Sequence, residues 1–234
     1  MANSQPDGKA PRPKASEGAV RYERAETILR IALARGTRTR PIGFTAARGR
    51  AKEAAMGATI PVFYDCEASD VEGYPIEIGW AFADPETGTI VSESHLIRPP
   101  EDWPVKESWD QAAERLHRIT LSQLRLDGRP VREIAQRMNA VLDGRELFSD
   151  APQDEGWLRL LFDAAGIEPT FIVRKTDATV LISRVAGDRG LDEAAHARAK
   201  AKAADLAPRL HRAEADARHL AVLWDIVSRG ALAP

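Results

Sequence analysis

The spacing of apolar positions changes character near residue 60. Before it, residues 20–35 (VRYERAETILRIALAR) place Tyr22, Ala25, Ile28, Leu29 and Ala32 at helical spacing, with Gly36 as a stop. That predicts one amphipathic helix. A second short helix is expected around 51–56. After residue 60 the runs become strand-like. PVFYD is a short apolar run ending in a charge, as in a buried strand. Gly73-Tyr74-Pro75 marks a turn, and PIEIGWAF reads as a second strand. Pro85 to Gly88 reads as a hairpin turn into a third strand, TIVSESHLIRP.

Helical spacing then predicts helices over 106–116 and 129–142, with Pro130 in an N-terminal turn. GRELFSD (144–150) reads as a fourth strand. DEGWLRLLFDAAG (154–166) reads as a helix closed by Gly166, and TFIVRK (170–175) as a fifth strand. Residues 176–229 are mostly helical, with breaks near Gly187–Gly190 and Pro208. No internal repeat is visible. The order βββαβαβα predicts an α/β fold with a mixed sheet.

Length and composition refine this picture. The 234 residues suit one domain over 59–230 plus an extension over 1–58. Residues 1–18 are rich in Pro, Gly, Lys and Ser and read as disordered. The extension carries 12 Lys and Arg against 5 Asp and Glu, whereas the rest of the chain is net acidic. A basic arm on an acidic body suits an enzyme that binds cations and takes a polyanionic substrate. Met56 opens MGATIPVFYDCEAS, which would also serve as a start for a compact enzyme. The lone cysteine, Cys66, allows no internal disulfide and no cysteine-based zinc site, so a cytoplasmic location is expected. No apolar run approaches the roughly 20 residues of a membrane span, and no secretory signal is readable.

Three acidic signals carry candidate chemistry. Asp65 and Glu67 alternate with Cys66 at the end of the first strand, so both carboxylates project to one face. Side by side they repel unless a cation neutralises them, and hard ions such as Mg²⁺ or Mn²⁺ prefer carboxylate oxygens. His211 and Asp216 flank the start of the last helix. There an imidazole could take a proton from water beside a metal-holding carboxylate. Asp154 opens a helix after the strand ELFS, where it could equally serve as an N-cap, and Asp150 competes with it.

Together these motifs resemble the DEDD-type 3′–5′ exonucleases, the DnaQ-like group of the ribonuclease H-like fold, in its histidine subtype. FYDCEASDVEGYPIEIGWAF matches their first motif, ELFSDAPQDEGWLRLLF their second, and HRAEAD their third. LHRIT (116–120) is similar to a stretch those enzymes carry before the second motif. The resemblance covers roughly residues 59–229. It implies a ribonuclease H-like five-stranded mixed sheet flanked by helices. It also implies two divalent metal ions, Mg²⁺ or Mn²⁺, ligated by Asp65, Glu67, Asp154 and Asp216, with His211 as general base. The implied partner is DNA or RNA with a free 3′ end, and nucleoside 5′-monophosphates are the implied products. Many members are homodimers. In the family the backbone after the first-motif Glu contacts the terminal nucleotide, which nominates Ala68 and Ser69. Ala68 stands where the family often has Thr. Ser149-Asp150 and Gln153 stand where its second-motif loop often has His-Asn and Phe.

Other residues carry weaker signals. Trp80, Trp157 and Trp224 fit a core pattern. Trp103, Trp109, Tyr74 and Ile76 could meet bases. The basic stretch Arg198, Lys200, Lys202, Arg209 and Arg212 leads into His211, and Arg212 is nominated for phosphate contact. A competing reading is a nucleic-acid-binding module on a nuclease-like fold with little turnover. Nothing in the sequence distinguishes DNA from RNA.

Overall fold

The computed structural model describes residues 60–229. The helices expected over 20–35 and around 51–56, and the basic arm of residues 1–58, lie outside the described residues. Strand β1 (Val62–Ala68) pairs antiparallel with β2 (Pro75–Ala83), which pairs antiparallel with β3 (Ile90–Arg98). This is the expected meander. Three short strands complete the sheet: β4 (Arg129–Pro130), β5 (Glu146–Phe148) and β6 (Ile172–Val173). The order is β4-β3-β2-β1-β5-β6, with β5 parallel to β1 and β6 parallel to β5. The fold is α/β with a mixed sheet, as expected.

Three expectations change. Among the described residues the sheet has six strands rather than five, because Arg129 and Pro130 pair with Ile97 and Arg98 before the next helix begins. The fifth predicted strand, 170–175, shrinks to Ile172–Val173. The helix expected over 106–116 is displaced and joined by another: α1 (Gln111–His117) and α2 (Leu121–Asp127). Caps decide these boundaries more than periodicity does. Asp110 accepts from the Ala112 N–H, and Thr120 and Gln123 form a reciprocal capping box. The remaining helices are α3 (Val131–Leu142), α4 (Gln153–Ala165), α5 (Ala178–Asp188), α6 (Glu193–Leu206) and α7 (Ala213–Arg229).

The sheet is covered on both faces, so β1 and β2 are almost wholly buried. Val62, Tyr64 and Cys66 point to one side and pack with Ile134 and Met138 of α3 and Leu158 and Phe162 of α4. Phe63 points to the other side and packs with Ile182 of α5, Ala203 of α6 and Leu220 and Ile226 of α7. Each such large side chain contributes roughly 1.5–3 kcal/mol through burial. Asp65 and Glu67 fall on the α7 face. Gly79, opposite Asp65 in the ladder, lets α7 touch the sheet. A Cβ there would lie 2.4 Å from the Ala213 carbonyl carbon and the Glu214 nitrogen. Among the described residues no helix is long and apolar enough to cross a membrane.

Candidate active site

The alternation of β1 and the close seating of α7 bring three predicted residues together. Asp65, Glu67 and Asp216 each offer a carboxylate oxygen, and these oxygens lie within 4.8 Å of one another. Asp65 and Asp216 are buried and Glu67 is half-buried. Burial, reinforced by the charges of Asp154, Glu67 and Asp216, pushes the Asp65 carboxyl well above the usual carboxylate range. Burial and the Asp216 and Glu77 charges push Glu67 up to about 8. Cys66 between them is buried on the opposite face, as expected, and burial pushes its thiol up.

Asp154 lies on α4 and is not among these three clustered carboxylates, although its charge acts on Asp65. It is 1 % exposed and lies in the first turn of α4, and the N-cap position belongs to Pro152. A capping role therefore does not account for it. The Ser149 hydroxyl donates to its Oδ2. Its Oδ1 is buried without a hydrogen-bond partner. Burial raises its pKa to about 8, although the Ser149 hydrogen bond pulls it back. A buried carboxylate with an unmet acceptor needs a partner.

His211 sits in the connection between α6 and α7, two residues before α7 begins. Its side chain is exposed and its backbone is left-handed, at φ 51°. For a non-glycine residue that conformation costs of order 1 kcal/mol and persists only where the surroundings impose it. They do so on both sides. The Leu210 N–H donates to Asp216 Oδ1 at 2.9 Å. Beyond His211, Arg212 donates to both Glu77 oxygens, at 2.7 and 2.9 Å, and the Ala213 N–H donates to Glu77 Oε2 at 3.0 Å.

Two nominated substrate contacts are already engaged. The Arg212 guanidinium is spent on Glu77. The Ser69 N–H donates to the Tyr74 carbonyl, and its hydroxyl accepts from the Tyr74 N–H and meets Ser108 Oγ. Ala68 closes β1 and is buried. The cation beside the carboxylates is Arg209, 2.7 Å from Asp150 and 4.0 Å from Asp216. Tyr74 stacks on Trp103 with ring centroids 5.0 Å apart. Trp80 is core, as expected, and Trp157 is half-buried against that core.

Sequence reasoning missed Glu77 and Ser149. The signal for Glu77 was present as one charge inside the apolar run PIEIGWAF, because a buried charge among apolar neighbours demands a partner. Ser149 gave no signal, since serine is ordinary in a polar loop.

Three converging carboxylates and the orphaned Asp154 oxygen suit hard divalent cations, whose ligands are oxygens. No family model matches the chain, and no curated protein does. Among solved structures, it is similar to the zinc-bound E. coli exonuclease I complex with single-stranded DNA. The identity is 16%, covering 74% of this chain and 41% of that one, with a TM-score of 0.49. A further E. coli exonuclease I structure, bound to a dT13 oligonucleotide, matches at 14% identity over 74% of this chain and 42% of that one, with a TM-score of 0.48. Exonuclease X bound to duplex DNA with a 5′ overhang matches at 19% identity over 74% of this chain and 94% of that one, with a TM-score of 0.39. The chain spans about two fifths of the length of the exonuclease I chains.

Proposed function

We propose that this protein is a metal-dependent 3′–5′ exonuclease of the cytoplasm, releasing nucleoside 5′-monophosphates from free 3′ ends of DNA or RNA. The observation that carries the reading is the convergence of Asp65, Glu67 and Asp216 within 4.8 Å on one face of the sheet. Asp154 adds a buried carboxylate with one unmet oxygen. Two divalent ions, Mg²⁺ or Mn²⁺, held by these four residues would acidify the attacking water and offset charge on the leaving oxygen.

The chain's own residues supply the rest. The β1–β2 ladder sets Asp65 and Glu67 on the same face of the sheet, beside Asp216. Ser149 holds one oxygen of Asp154 and leaves the other available. His211 takes the proton of the attacking water, and its exposure lets it pass that proton to solvent. The water oxygen ends on the 5′-phosphate of the released nucleotide. The bond from phosphorus to the 3′ oxygen breaks, and that oxygen takes up a proton to leave a new 3′-hydroxyl. Ala68, which closes β1, and Ser69, which follows it, would meet the terminal nucleotide only along their backbone, because Ala68 is buried and the Ser69 N–H and hydroxyl are already bonded to Tyr74.

The test is product analysis on single-stranded DNA and RNA oligomers labelled at the 3′ end, with Mn²⁺ or Mg²⁺. Labelled mononucleotide is the expected product. A mobility shift with no product would overturn the reading in favour of a binding module. Cutting of a circular single strand would overturn the requirement for a 3′ end.

A further inference from the structure

Glu77 is a carboxylate that the reaction above does not use. It is 1 % exposed, in the middle of the most buried strand of the sheet. It lies opposite Glu67 in the β1–β2 ladder, so it faces the same layer as the acidic cluster. Burying a carboxylate beside other carboxylates is costly, and only full pairing offsets the cost. Glu77 is paired on both oxygens. Arg212 donates to each, and the Ala213 backbone N–H adds a third bond. Those two residues immediately follow His211.

We infer that Glu77 is a positioning residue for His211. It anchors the far side of the connection before α7, while Asp216 anchors the near side through the Leu210 N–H. His211 is the single residue between the two anchors, and it holds the left-handed backbone. Gly79, two residues along the same face, removes the Cβ that would keep α7 from reaching Glu77. The clamp therefore fixes where the imidazole stands relative to Asp216, without Glu77 touching substrate. Geometry of this kind is worth a large factor, because a base displaced by about 1 Å loses much of its effect, on the order of 10²-fold.

This inference rests on the nuclease reading, and the experiment separates the two. Single-turnover release from a labelled single strand with Mn²⁺ is measured for the wild type, Glu77→Gln, His211→Ala and the double variant. Glu77→Gln is expected to lower the maximal rate about 10- to 100-fold. The oligomer concentration at half-maximal rate should stay within about twofold, because binding is untouched. In the His211→Ala background the same substitution should cost less than about threefold, since the base it positions is gone. Equal costs in both backgrounds would overturn the inference and leave the nuclease reading standing. A wild type that releases nothing overturns the reading itself. Arg212→Met removes the clamp from its half-exposed side, and should repeat the non-additivity if Glu77→Gln does not fold. A third readout needs no turnover. The His211 ring resonances should shift or broaden in Arg212→Met, and unchanged resonances would count against the clamp.

Discussion

Arg209 reaches from the loop before the last helix to Asp150, 2.7 Å away, and stands 4.0 Å from Asp216. It brings a positive charge to the acidic cluster. Arg209→Ala should tighten Mn²⁺ binding about fivefold, since a charge near Asp216 is worth about 1 kcal/mol once solvent screening is allowed for. The same variant should raise the KM for an oligonucleotide if the guanidinium also meets a substrate phosphate, since a cation beside the acidic cluster would then be lost. Calorimetry and steady-state kinetics on one preparation check both signs. Unchanged values in both would remove Arg209 from the site.

Asp65→Asn keeps the shape of the side chain and removes its charge. Nucleotide release should fall about 10³-fold or more, because several kcal/mol of metal-dependent stabilisation depend on that ligand. His211→Ala should fall about 10²- to 10⁴-fold, the range for a general base. Divalent-ion affinity, measured by calorimetry, should drop in the first variant and hold in the second. A similar drop in both would place His211 among the ligands.

Glu67 and Asp154 each titrate near 8 in the metal-free fold, because burial disfavours their charged forms. In the unfolded chain they titrate near 4. The folded state therefore holds more protons between those values, and stability falls as pH rises through that window. The melting temperature in chelator should decrease from pH 5 to pH 8. Mn²⁺ should restore it, most strongly at pH 8, where the ion no longer competes with protons. Glu67→Gln should flatten the profile in chelator. A profile equally steep in that variant would mean that other groups govern it.

Gly79→Ala tests the seating of the last helix. Its Cβ would meet backbone atoms of Ala213 and Glu214, which cannot rotate away. Destabilisation of about 1–3 kcal/mol is expected, with loss of activity beyond that set by the unfolded fraction. Denaturant melts give the first quantity, and rate per folded molecule gives the second. A variant of wild-type stability would mean that α7 can lift from the sheet at little cost.

The sequence was most informative where one strong period dominated. The β1–β3 meander followed from apolar runs and turn residues, and Asp65 and Glu67 followed from strand alternation. Asp216 was placed by its motif, and its approach to β1 depended on Gly79, whose role is visible only in three dimensions. Asp154 was ambiguous in sequence because an aspartate at a helix start is usually a cap. Its burial and its position inside the first turn resolved that. α1, α2 and β4 were misread or missed because they are too short to show a period, and local hydrogen bonds set their limits. Arg212 was assigned outward to phosphate, whereas the buried Glu77 claims it. Nothing in the linear pattern ties residue 77 to residue 212.

The order in which these groups leave the ribosome differs from the order in which they would act. Asp65, Glu67 and Asp154 are all synthesised before α5 begins, but His211 and Asp216 come only with the final helix of the fold. A nascent chain that has emerged through α6 thus carries most of the acid and none of the base. On the nuclease reading, the site would be complete only once α7 docks over Gly79, so activity would follow the seating of this helix rather than precede it.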